Sequence, residues 1–216
     1  MSFTEILRFI KLCCYEKRIT HATALLLMYS KPKKGVKNVL ELGSGNGAVS
    51  IGISKLYNVH VVGVEVQGDL VEAARKSSFM NGVEDKVTFV NADVRNIKDV
   101  IDAEGFDMVI SNPPHHLGKI RSNSRHRAIE RSLNKELMGD FVNAIKWALK
   151  NGGDYVLVLS PENLIEWIYR LREAKLEPKK LKFFHPKEER NAELVAVRGK
   201  KNGKVGLIVE YPVLEG

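Results

Sequence analysis

Cysteine is nearly absent from this chain of 216 residues: Cys13 and Cys14 are its only two, and they are neighbours. Adjacent cysteines cannot staple distant segments, so a disulfide framework is excluded and a reducing cytoplasm is the expected setting. Long apolar runs are missing as well. The stretch Ala24 to Tyr29 falls far short of the ~20 residues that a membrane-spanning helix needs. The opening Met1-Ser2-Phe3-Thr4-Glu5 lacks the basic-then-apolar order of a secretory leader. With so few cysteines, no Cys/His spacing suits a metal site, and none is expected. Glutamine occurs once, at Gln67, in a chain rich in Lys and Glu; this is a thermophile's habit that the many asparagines contradict.

What is present fits one globular unit. An apolar share of 44% supplies a core, and a charged share of 28% with no long polar tract argues against disorder. Residues 1–216 read as a single domain, with a helical segment at 1–30 and a core at 36–216 that carries a basic loop at 116–132. The formal net charge is +8, with +1 in residues 1–110 and +7 in residues 111–216. A lysine-rich surface would give that balance, and so would a polyanionic partner touching the second half.

From residue 36 onward, short β-branched runs alternate with helix-length stretches. Strands are expected at Asn38–Leu42, Val59–Val66, Lys86–Asn91, Asp107–Ser111 and Tyr155–Ser160, with helices at 48–57, 69–82, 95–104, 133–150 and 161–175; two more helices precede them at 3–16 and 20–30. Nearly continuous apolar strands separated by helices mean a parallel sheet covered on both faces. Lys180–Phe184, Ala192–Arg198 and Val205–Tyr211 have only turns between them and are expected to be antiparallel. A doubly wound α/β sheet of this kind holds its ligand beyond the carboxyl ends of the central strands, so motifs should follow strands.

They do. After the first strand comes Glu41-Leu42-Gly43-Ser44-Gly45-Asn46-Gly47-Ala48. Alternate glycines allow a tight turn and let a ligand approach the main chain, and the following helix offers free N–H groups. Gly43, Gly45 and Ala48 also satisfy the dinucleotide fingerprint, and Glu65, at the end of the second strand, suits ribose hydroxyls in either case. Glu41 opposes a pyrophosphate at this place and would favour a ligand bearing ammonium and sulfonium groups, such as S-adenosylmethionine. After the third strand, Asn91-Ala92-Asp93 brings a carboxylate that could accept from an adenine amine; the competing reading is that Asp93 simply caps the next helix.

After the fourth strand stands Ser111-Asn112-Pro113-Pro114-His115. Two prolines remove two backbone donors, which leaves the Pro113 carbonyl and the Asn112 side chain as rigid acceptors side by side. Such a pair suits an NH2 group: it binds both hydrogens and draws the nitrogen toward tetrahedral geometry, with the lone pair on line to a methyl group. His115 would stack on a planar substrate.

Together, Glu41-x-Gly43-x-Gly45-x-Gly47, Glu65, Asp93 and Asn112-Pro113-Pro114 resemble the class I S-adenosylmethionine-dependent methyltransferases of the amino-methylating type. Leu25-Leu26-Leu27, Gly63–Gln67, Ala128–Arg131, Ser160-Pro161-Glu162 and Leu176–Lys179 carry a closer resemblance to bacterial tRNA(Val) adenine-N6 methyltransferases. The resemblance implies a Rossmann-like seven-stranded sheet with an antiparallel end. It also implies S-adenosylmethionine as cofactor: Gly43, Ser44, Gly45, Asn46 and Gly47 around the methionine moiety, Glu65 on the ribose, Val66 beside the adenine ring, and Asn91, Ala92 and Asp93 at the adenine amine. Asn112, Pro113, Pro114 and His115 would form the catalytic turn, Asn112 also touching the cofactor. Family members usually have Tyr or Phe where His115 stands.

The tetrapeptide alone does not separate a nucleobase amine from a protein glutamine, and a non-catalytic RNA-binding module also remains open. Lys119, Arg121, Arg125, Arg127 and Arg131 follow it against Glu130 alone, a stretch expected to grip the phosphates of structured RNA, most simply a tRNA. A target base must leave its stack to reach the pocket, which favours a loop such as an anticodon arm.

Overall fold

The β-branched runs build one sheet. The computed structural model describes residues 9–13, 19–114 and 124–214, of which 124–134 as backbone alone. Its strands are β1 Asn38–Leu42, β2 His60–Glu65, β3 Val87–Asn91, β4 Phe106–Ser111, β5 Leu149–Leu159, β6 Leu176–His185 and β7 Leu194–Lys201, followed by the two-residue segments β8 Ile208–Val209 and β9 Val213–Leu214. The helices are α1 His21–Tyr29, α2 Ala48–Tyr57, α3 Gly68–Met80, α4 Ser124–Ala148 and α5 Leu164–Glu173. Strand order is β3-β2-β1-β4-β5-β7-β6, parallel throughout except for β7, which is antiparallel to both β5 and β6. This is the expected Rossmann-like arrangement. Its order reverses between β1 and β4, where such sheets open a crevice.

Alternating side chains sort the core into two layers. Val39, Val61, Phe89, Met108, Ile110 and Val156 face α1, α2 and α3, where Leu26, Ile51 and Ala74 are buried. Leu40, Leu42, Val64, Val109 and Leu157 face α4 and α5, where Ile145 and Leu171 are buried. Burial on both faces explains why the strands read as unbroken apolar runs. Among the described residues, no helix is long and apolar enough to cross a membrane.

Several boundaries depart from expectation. The helix expected at 3–16 lies mostly outside the described residues. The stretch expected as a helix at 95–104 forms only a 3-10 turn, Val94–Asp99, with Asn96 at non-helical φ −105°, ψ 22°; asparagine, aspartate and β-branched residues there are weak helix formers. The basic loop expected at 116–132 is helical from Ser124, because Arg, Ala, Leu and Glu favour helix whether or not they are charged. The last segment, expected as one antiparallel strand at Val205–Tyr211, is split, and β8 and β9 run parallel to the free edge of β6.

Lys201 fixes α4 to the sheet. Buried at the end of β7, its ammonium donates to the carbonyls of Lys146 and Leu149 at 2.8 and 2.7 Å and to Glu104 at 2.8 Å. Carbonyls in the last turn of a helix lack intrahelical donors and carry the negative end of its dipole, so a cation there satisfies both.

Candidate functional site

A cleft of about 540 Å³ opens over the carboxyl ends of β1, β2, β3 and β4, with α4 as its far wall. That volume suits a nucleoside-sized ligand. Gly43, at the start of the glycine turn, lines the cleft. The N–H groups of Gly43 and Ser44 donate to the Val64 carbonyl at 2.8 and 3.0 Å, which ties the turn to β2. Gly43 and Gly45 have φ of +72° and +54°, and a Cβ on either would meet nothing within 4 Å. The open space beside the main chain there is a cradle that larger side chains would narrow. Gly47, at φ +82°, is crowded instead: its Cβ would stand 2.6 Å from Phe89 Cζ.

Glu65 ends β2 with its carboxylate half-spent. Oε2 accepts from the Gly45 N–H at 2.9 Å and Oε1 from the Gln67 N–H at 3.0 Å, and each oxygen keeps a free lone pair. Asn91 stands beside it, donating to the carbonyls of Glu65 and Val66 at 2.9 Å each, and so fixes the strand end rather than facing the cleft. Asp93 caps the 3-10 turn through the Arg95 N–H at 2.9 Å and also takes the Arg95 guanidinium, Nε at 3.0 Å and Nη2 at 2.5 Å. That pairing holds its carboxyl below the usual range. The capping reading of Asp93 is thus met, in a carboxylate that also lines the cleft.

At the end of β4, the Ser111 hydroxyl donates to the Leu42 carbonyl at 2.7 Å and locks the two central strands together. Asn112 follows directly. Its Oδ1 is buried with no hydrogen-bond partner among the described residues, as is the Ser44 hydroxyl. A buried acceptor left unpaired costs about 1–3 kcal/mol, so a donor from outside the chain would be taken up at Asn112 with gain. Pro113 is buried and Pro114 exposed at the cleft mouth. His115, Lys119 and Arg121 lie outside the described residues; Arg125, Arg127 and Arg131 are on the first turns of α4.

Of the residues expected at a cofactor, Gly43, Glu65, Val66, Ala92, Asp93 and Asn112 line the cleft; Glu41, Ser44, Gly45, Asn46, Gly47 and Asn91 do not. Glu41 points instead toward α2, where the Ser50 hydroxyl donates to its Oε2 at 2.5 Å. Burial pushes its carboxyl up to about 8, against the pull of Ser50 and with a push from Glu65. A carboxyl whose folded pKa is raised binds more protons folded than unfolded, so stability is fullest at low pH and declines as pH rises from the ordinary value of 4.5 toward 8. Glu41→Gln, which resembles the protonated form, should match the parent at pH 5 and exceed it by a few kcal/mol at pH 8 in urea unfolding. Parallel pH profiles for the two proteins would show that Glu41 stays charged throughout.

Sequence reasoning missed Arg95, Glu136 and Asp140. The last two stand one turn apart on α4 and line the cleft beside Leu137 and Phe141. An i, i+4 acidic pair next to an i, i+4 apolar pair was the available signal, and it looks like any helix at the edge of a core. The lining thus carries four carboxylates, Glu65, Asp93, Glu136 and Asp140, against the Arg95 guanidinium. A pyrophosphate would be repelled here, whereas a ligand of net positive charge would be attracted.

Known proteins share this chain's sequence pattern and fold. The sequence model of the methyltransferase small domain matches residues 14–166. The tRNA1(Val) (adenine(37)-N6)-methyltransferase of Shewanella sediminis is 26% identical over 157 residues, covering 71% of this chain and 64% of that protein. The release factor glutamine methyltransferase of Chlorobaculum tepidum is 29% identical over 100 residues, covering 45% and 34%. The chain spans from 15% to 64% of the length of such curated relatives. In fold, it superposes on a predicted O-methyltransferase from Agrobacterium tumefaciens with a TM-score of 0.70 at 19% identity, over 88% of this chain and 86% of that one.

Proposed function

The chain belongs to the methyltransferase small domain family, and from that premise we propose that it methylates the exocyclic amine of an adenine in RNA, the adenine beside the anticodon of a tRNA being the target. S-adenosylmethionine, the donor of such methyltransferases, supplies when bound a methyl group made electrophilic by its sulfonium.

The chain's own residues do the rest. The acidic cleft binds a donor of net positive charge, with Glu65 accepting from ribose hydroxyls and Asp93 from the adenine amine. The open backbone at Gly43 and Gly45 admits the methionine end. The Asn112 side chain and the Pro113 carbonyl accept the two hydrogens of the target amine. This turns the nitrogen lone pair toward the methyl and holds the reacting atoms in line. An aryl amine becomes more acidic as it is alkylated, so its proton can leave to water and no strong base is required. The single observation that carries this reading is the buried Asn112 Oδ1, without a partner among the described residues, at the end of β4 beside the cleft.

Two features support RNA over the protein glutamine that the Chlorobaculum relative's name brings into question. The Shewanella tRNA enzyme matches 71% of this chain against 45% for the Chlorobaculum relative, and Arg125, Arg127 and Arg131 lead α4 directly into the cleft wall. The test is to incubate the protein with labelled donor and either total tRNA or a release factor. Labelled N6-methyladenosine in digested tRNA is the expected product. Label on a glutamine of the release factor, with none in RNA, would overturn the RNA reading and keep the amine chemistry. A companion variant reversing Arg121, Arg125 and Arg127 to Glu should lose RNA methylation while binding S-adenosylhomocysteine normally.

A further inference from the structure

Methyl transfer removes a positive charge from the nucleoside in the cleft. The donor carries a sulfonium; the product, S-adenosylhomocysteine, has a neutral thioether and is otherwise the same shape. An enzyme that turns over must let go of that product in the presence of fresh donor, and the two differ chiefly in charge.

We infer that Asp140 and Glu136 on α4 let the cleft tell the charged donor from its uncharged product, a specificity role that rests on the methyl-transfer reading above. Both carboxylates line the cleft. Neither has a hydrogen bond or ion pair among the described residues. Arg95, which lines the cleft with them, is committed to Asp93 through Nε and Nη2. Asp140 therefore faces two like charges, Asp93 and Glu136, with Arg95 in partial compensation. Burial also pushes its carboxyl up, the mark of a site dry enough for charge to be felt.

Arg95 offsets this wall only in part, so a cation in the cleft would be drawn to it. The reach is adequate: charges about 8 Å apart lie within a Debye length at physiological salt. One unit charge about 8 Å away at an effective dielectric near 40 changes an affinity roughly five-fold. Glu136, which is exposed, should contribute less than the half-buried Asp140.

A hydrogen-bonding role for these side chains would act equally on donor and product, which share every hydroxyl and amine. Charge acts on the donor alone, and that separates the two. The experiment is calorimetric titration of the intact protein with S-adenosylmethionine and with S-adenosylhomocysteine, for the parent, Asp140→Asn and Glu136→Gln. Asp140→Asn should weaken donor binding about five-fold and leave product binding within experimental scatter. Glu136→Gln should do the same about two-fold, and 0.5 M salt should shrink both effects. Equal weakening of donor and product by Asp140→Asn would overturn the inference in favour of hydrogen bonding, and unchanged binding of both would overturn it outright. Should Asp140→Asn fail to fold, Glu136→Gln at its exposed position decides the matter by the same readout. A parent protein that binds neither compound would instead remove the methyl-transfer reading on which the inference stands.

Discussion

Asn112→Ala should lower turnover by about 10²–10³-fold while the dissociation constant for S-adenosylhomocysteine stays within a few-fold of the parent. The size of the loss follows from what Asn112 Oδ1 is: a buried acceptor with no partner among the described residues, on a turn held by the Ser111 hydroxyl bond to the Leu42 carbonyl. No described hydrogen bond to Oδ1 is lost with it, so stability should hold. What is lost is the acceptor that pulls one amine hydrogen aside and fixes the lone pair. Asn112→Asp keeps an acceptor in nearly the same shape and should retain more activity than alanine does. Single-turnover methylation with saturating donor separates this from binding. Turnover near that of the parent in the alanine variant would end the amine-polarising role.

The largest effect on stability is expected at Gly47. Alanine there would hold a left-handed backbone at φ +82° and place its Cβ 2.6 Å from Phe89 Cζ and 3.0 Å from Ala74 Cβ. The backbone cost is about 1–2 kcal/mol for an L residue, and overpacking at a core ring adds about 1–3 kcal/mol. Gly43→Ala is the internal control: its φ of +72° is similar, but its Cβ meets empty space, so only the backbone cost should appear. Adding Phe89→Leu to Gly47→Ala should recover part of the loss by relieving the contact and none of the backbone share, giving a non-additive double-mutant cycle. Urea unfolding of the parent, the three single variants and the double variant checks this. Equal losses at Gly43 and Gly47 would mean that Phe89 yields without cost.

The parts of this molecule that were legible in its sequence share a physical reason. Strands buried on both faces, such as Val39-Leu40 and Val61-Val62, have no solvent side to break the apolar run. Ligand groups in a doubly wound sheet must follow strand ends, which is why Glu65, Asp93 and Asn112 could be picked out by position. What stayed hidden depends on pairings that sequence does not encode locally. Glu136 and Asp140 belong to the cleft only because α4 lies across the ends of β1 and β4. Arg95 reaches back two residues to Asp93, a contact of side-chain rotamer rather than of pattern. The start of α4 was concealed because a run of arginines looks solvated whether it is helix or loop. Glu41 was expected to face the ligand, but alternation along β1 puts it on the Val39 side, toward α2 and Ser50.

The place of β7 between β5 and β6 has a consequence for how the chain is made. A ribosome delivers β6 before β7, yet β6 is joined to β5 and the strands beyond it through β7, pairing as Leu181↔Val197 while Val197 pairs onward to Leu157. Until residue 201 has emerged, β5 presents an unmet edge and β6 has no berth, so the nascent chain must hold a ready-made adhesive surface through the last stretch of translation. Arrival of β7 closes that gap from both sides at once and brings Lys201 to the end of α4, so the wall of the cleft is fastened in the same event that completes the sheet.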